Sequence, residues 1–331
     1  MAVAAVCSAM VAGPMASCSD NPVTPDNPVE HKFHEDPAKV TLTLVECHTH
    51  TDWQGIQSMG GPHQNPDTEA KYIKTVQEMT WQVNKDTKQW EFTPESAKKF
   101  FVQKAPWYGG KPAPIYLFFI HYYNAKGQMI DGQFFADGQD AIHQHFFTAE
   151  NVKDLDGNNL SEEDKQTEKL YDYLYCDTQP WNQTNHNDSA KIVGKTNPVG
   201  FKGVLRFLQS RKQFDMRIKL YHGYKSKYLN GTQASPYYKP SNRLVQNGTW
   251  DINFTVPFEV FMDRDDTDKF TADVDDSTDL STIKEDGLDA DSNRIIHYLM
   301  DAFGIDWQQA LAEYVGKVYK TKDHSDAGYW L

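Results

Sequence analysis

Four stretches of this chain alternate apolar with polar residues, and three of those stripes run into histidine. In Lys39 to His50 the shared positions are Val40, Leu42, Leu44, Glu46, His48 and His50. In Ile115 to Tyr123 they are Ile115, Leu117, Phe119 and His121, and in Phe214 to His222 they are Phe214, Met216, Ile218, Leu220 and His222. The fourth, Trp250 to Met262, carries Pro257, which marks an edge or a bulge. A period of two puts alternate side chains on one face of an extended chain, which is strand chemistry. The expected fold is therefore mainly β, one or more antiparallel sandwich-like units followed by a C-terminal helical pair.

Between the stripes, Asn84 to Thr87 and Asn124 to Gly127 read as turns, the first joining strands at Thr80 to Val83 and Gln89 to Phe92. Thr93, Pro94 and Glu95 read as the opening of a short amphipathic helix through Phe101. Phe201 to Leu208 is expected to pair with Phe214 to His222 across a short connection. Asp154 to Asp164 resembles an EF-hand calcium loop but is one residue short and has Asn where the sharp turn wants Gly, so a turn is the better reading. The acidic run 263–292 reads as a solvated loop. Ser292 to Ala302 and Asp306 to Val318 read as helices with Gly304 as a stop, and His297 as a packed core residue.

The chain has 331 residues, enough for one body over 31–331 or two units over 31–150 and 195–331. Asp and Glu outnumber Lys and Arg by 46 to 33, and the formal charge of -13 repels nucleic acid and anionic membrane surfaces. Neutral or cationic ligands suit such a surface better.

Residues 1–17 are small, apolar and uncharged, and end at Met15, Ala16 and Ser17 before Cys18. This resembles a lipoprotein signal peptide whose lipobox Cys becomes the lipidated first residue of the mature protein. Cys18, Ser19, Asp20 and Asn21, with the Pro- and Asn-rich tether to residue 30, resemble the mature start of Bacteroidetes-type surface lipoproteins. That resemblance implies a lipid anchor on the outer membrane, at the cell surface or periplasmic face, and an outer-membrane transporter as partner. Asp188, Ser189 and Ala190 resemble the O-glycosylation triplet of the same class of envelope proteins. In an oxidising envelope Cys47 and Cys176 could form a disulfide or remain two buried thiols.

The stripe-ending residues His48, His50, His121 and His222, with the pair His143 and His145, form a candidate ligand set. His31 and His34 read instead as solvated residues ahead of the first strand. Neutral imidazole binds Zn, Cu and Fe, and two His two apart on a strand supply two ligands with little ordering. Capture of a transition metal ion, without chemical turnover, is the expected function. Three alternatives remain open. Haem would use two axial imidazoles, without the Cys-X-X-Cys-His of covalent attachment. A glycan binder would use a ring platform at Trp181 and Tyr221 to Tyr238. His48, Thr49, His50, Thr51 and Asp52 resemble the opening metal motif of amidohydrolase and polymerase-histidinol-phosphatase hydrolases, which implies His48 and His50 as ligands of a catalytic metal.

Overall fold

The computed structural model describes residues 33–105, 107–108, 111–185, 189–228, 231, 233–322 and 331. The signal-like segment, Cys18 and the tether lie outside these residues, as do His31, His186 and Asp188.

Eleven strands join one sheet. They are β1 (Lys39–Thr49), β2 (Pro62–Gln64), β3 (Val76–Val83), β4 (Trp90–Phe92) and β5 (Phe100–Lys104). Then come β6 (Ile115–Tyr123), β7 (His143–Asp154), β8 (Tyr171–Tyr175), β9 (Lys202–Phe207), β10 (Lys212–Gly223) and β11 (Gly248–Asp263). The main path runs β4-β3-β1-β6-β9-β5-β11-β10-β7, with β2 added to β1 and β8 to β9. All pairs are antiparallel except those of β5, which runs parallel to both β9 and β11. The protein is mainly β, as the stripes require, but the strands form one large mixed sheet where antiparallel sandwich units were expected. Strands from residues 31–150 and 195–331 interleave within it.

β5 explains the mixing. Residues 93–99 form no helix, and the apolar run Phe100, Phe101 and Val102 is buried as strand between β9 and β11. A helix would leave one side of that run in water. The Gln77 side chain adds two bonds to the Phe101 backbone, at 2.9 Å to its N–H and 2.7 Å to its carbonyl. β9 and β10, expected as a hairpin, are consequently separated in the sheet by β5 and β11. Pro257 lies one residue before the β11–β5 pairing begins at Phe258, where its missing N–H deprives no partner on that side.

The sheet curls so that β6 faces β7 and β11 across a common core, with Phe118 6.1 Å from Phe147 and 6.5 Å from Phe258 between ring centroids. β6 is buried on both faces. Tyr116, Phe118, Ile120 and Tyr122 point into this main core, whereas Ile115 and Leu117 join a satellite cluster with Val45, Cys47 and Cys176. The two thiols are buried and unbridged.

A third cluster sits under the C-terminal helices α1 (Asp266–Asp273), α2 (Ala290–Phe303) and α3 (Trp307–Val318). The acidic run is thus partly helical, because Phe270 packs on Tyr314 at 4.3 Å between centroids. The N-cap of α2 is Asp289, whose carboxylate accepts from the N–H groups of Asp291 and Ser292, so the helix starts ahead of Ser292. Gly304 ends α2 in the left-handed conformation at φ 63°, and Asp306 and Gln309 form a capping box on α3. His297 is exposed and bonds Glu285 at 2.6 Å, so it is not a core residue.

Candidate metal centre

Antiparallel pairing decides which histidines can meet. β7 and β10 are antiparallel, so the first residue of one meets the end of the other, and His143 stands directly opposite His222. Their ring centroids are 4.4 Å apart. β11 begins at the same edge. Its register against β10 slips between the pairs Leu220–Ile252 and Tyr221–Trp250, which leaves Asp251 as an extra residue. Such a bulge turns two successive side chains to one face. Ile252 enters the main core, Trp250 packs outside on Tyr221 and Phe146, and Asp251 is aimed inward at His222. The fourth group, His34, comes from the segment just ahead of β1, which starts at this edge because β1 and β6 are antiparallel.

One donor atom from each of His34, His143, His222 and Asp251 lies within 4.8 Å of the other three. Asp251 Oδ2 is 2.9 Å from His34 Nε2, 2.9 Å from His222 Nδ1 and 3.7 Å from His143 Nε2. His34 Nε2 is 3.3 Å from His143 Nε2 and 3.4 Å from His222 Nδ1. Four donors at about 2.0–2.1 Å from a tetrahedral ion lie about 3.3–3.4 Å from each other, which these separations bracket. All three imidazoles are buried, and the Asp251 side chain is 5% exposed.

The outer contacts fix which nitrogen faces inward. His143 Nδ1 lies 2.8 Å from the Gln139 carbonyl, an obligate acceptor, so Nδ1 carries the proton and Nε2 presents its lone pair to the centre. His34 Nδ1 faces the Glu35 carbonyl at 3.2 Å with the same result. Burial lowers the pKa of His143 and keeps the ring neutral. Burial also works to raise the pKa of Asp251, but the three imidazoles that surround it, His143, His222 and His34, outweigh burial and hold the carboxyl far below its ordinary range. A carboxylate and several inward lone pairs thus crowd a dry space. They repel one another unless a cation or shared protons lie between them.

Of the residues named from sequence, His143 and His222 belong to this centre and the other four do not. His145 is one pleat deeper, where Nδ1 donates to the Val199 carbonyl at 2.8 Å and Nε2 accepts from the Tyr122 hydroxyl at 2.7 Å. His121 lies on the satellite face of β6, bonded to Asp131 at 2.7 Å, while its neighbour Tyr122 faces the core. His48 near the end of β1 and His50 just beyond it lie at the opposite edge of the sheet. β1 and β6 run antiparallel, so stripes that both end in histidine end at opposite edges.

Sequence reading placed His34 in solvent, where the structure buries it, and missed Asp251. His34 lies in no strand and no stripe leads to it, although its spacing from His31 was visible. Strict alternation with Ile252 turns Asp251 outward, and only the bulge reverses that.

The ring platform expected at Trp181 and Tyr221 to Tyr238 is not continuous. Tyr221 and Tyr237 are buried, and Trp181 stacks on Phe135 at 5.1 Å and 8°. Nor does the buried centre fit haem, since the Phe134 ring packs 4.4 Å from His34 and 5.2 Å from His143, where a macrocycle would need space. No helix among the described residues is long and apolar enough to cross a membrane. No family model, curated protein or solved structure matches the chain.

Proposed function

We propose that this protein captures one divalent transition metal ion through His34, His143, His222 and Asp251. The observation that carries the reading is the convergence of four donors from four separate segments of the chain, with five of their separations between 2.9 and 3.7 Å. Three imidazoles and one carboxylate, without thiolate, suit Zn(II) best, with Fe(II) and Cu(II) behind it on geometry. Four protein donors fill a tetrahedral shell and leave no position for a substrate, which favours holding an ion over turnover. Asp52, the acid of the hydrolase-like motif, accepts from the Gly55 N–H at 2.6 Å at the other edge of the sheet. With the lipobox-like Cys18 as anchor, such a protein would hold a scarce ion at the outer membrane for delivery to a transporter.

Elemental analysis of untagged protein starting after Cys18, compared with His143→Ala/His222→Ala, tests this directly. The expected result is one tightly held ion in the parent and none in the variant at this centre. Binding should weaken as the pH falls and protons compete with the ion for its ligands, with His143 resisting protonation because burial lowers its pKa. Equal loading of folded parent and variant would sink the proposal.

A further inference from the structure

The histidines that end β1 have their own partner. His48 stands opposite His63 in the β1–β2 pair, and His50 lies two residues beyond His48. The three rings form a near-equilateral set, with centroids 5.0 Å apart for His48 and His50, 5.5 Å for His48 and His63, and 4.9 Å for His50 and His63. Three imidazoles on one tetrahedral ion, bonded at about 2.0–2.1 Å, place their centroids about 5.2 Å apart.

The trio also has an outer shell. His48 Nδ1 lies 2.9 Å from the Asn65 amide oxygen, so Nδ1 carries the proton and Nε2 is the donor left for a ligand. Asn65 is itself fixed, since its amide nitrogen donates to Glu46 at 3.1 Å and its backbone N–H to the Glu46 carbonyl at 2.9 Å. Glu46 is clamped by Lys317 of α3 at 2.7 Å. A chain of fixed groups from the helical layer therefore sets the orientation of one imidazole. His63 is half-buried and His50 exposed, so the set opens to solvent.

We infer that His48, His50 and His63 form a second transition-metal site, separate from the buried centre and of a different kind. The two lie at opposite ends of β1, on the order of 30 Å apart for eleven extended residues. The buried donors already lie within 4.8 Å of one another, whereas the donor atoms of His48, His50 and His63 do not, so binding here requires the rings to turn toward the ion. Three protein ligands leave a fourth position for water or a ligand on another molecule, which makes this a site of exchange. Imidazole nitrogens in a tetrahedral arrangement suit Zn(II), and Cu(II), which binds nitrogen donors more tightly, serves as a spectroscopic probe of the site.

The test is titration of untagged protein, its buried centre first filled with Zn(II), using Cu(II) and reading the electron paramagnetic resonance spectrum. One Cu(II) with coupling to several nitrogens is expected in the parent. It should be lost in His50→Ala and in His63→Ala, whose circular dichroism and tightly held Zn(II) remain as in the parent. In His143→Ala/His222→Ala the copper signal should persist while the tight Zn(II) is gone, so the two sites fail independently. No second equivalent in the parent, or the same nitrogen-coupled copper in His48→Ala/His50→Ala/His63→Ala, overturns the inference.

Discussion

His143 and His222 face each other across the antiparallel β7–β10 pair, one the first residue of its strand and the other the last but one of its neighbour. Cross-strand pairing supplies two donors whose separation is set by backbone hydrogen bonds. The centre is completed by Asp251 from a bulge and His34 from outside the sheet.

Asp251 carries the only negative charge among the four donors. In Asp251→Asn the site keeps its shape but loses the anion, and ion affinity should fall by more than the roughly 10- to 100-fold typical of an outer-shell loss. Competition with a chromophoric chelator measures it. His121→Ala, in contrast, should leave affinity unchanged, because that ring serves Asp131 on the other face of β6. A fall in both variants would show that the centre is misassigned.

The segment carrying His34 lies outside the strands, with Phe33, Glu35 and Asp36 exposed. Glu35 bonds the side chains of Gln133 and of the buried Asn124. Filling the centre should therefore slow hydrogen exchange at residues 33–37 far more than in the middle of β10. His34→Ala should abolish that protection while the sheet exchanges as before. Equal protection with and without the ion would argue against His34 as a ligand.

Lys227 is fully buried and donates to the Pro198 carbonyl at 2.6 Å. Burial pushes its pKa down to about 7, against the opposing pull of Asp177 and Asp140. Between about pH 7 and the ordinary lysine value, the unfolded chain holds a proton that the native protein has released. Stability should therefore rise with pH through that window, by about 1.4 kcal/mol per unit at most for this one group. Urea midpoints at pH 7, 8 and 9 should show the rise, and Lys227→Met should flatten it. A parent with no more slope than the variant would contradict the assignment.

Asp177 has no part in the centre yet holds its wall. Its buried carboxylate accepts from the backbone N–H groups of Val199, Gly200, Phe201 and Lys202, at 2.9, 2.8, 2.9 and 3.3 Å. Val199 in turn accepts from His145. Asp177→Ala leaves these donors unanswered and should destabilise the protein by on the order of 3 kcal/mol. A change under about 1 kcal/mol in denaturant unfolding would show that water replaces the carboxylate.

The sequence by itself marked the longest strands and the histidines that could act as donors. Period-two stripes placed β1, β6, β10 and β11 and marked His143 and His222 as candidate donors, because alternation is a local property of an extended chain. Helix caps at Asp306 and Gly304 were legible for the same reason. Tertiary structure decided which histidines meet. Strand direction separated His48 and His50 from the rest, since neighbouring antiparallel strands end at opposite edges. The insertion of β5, parallel to both neighbours, separated strands expected to pair. A single extra residue in β11 turned Asp251 inward, and a chain segment with no pattern of its own brought in His34. Direction, strand order and register are long-range outcomes of packing, and they alone assembled four ordinary side chains into one candidate ion site.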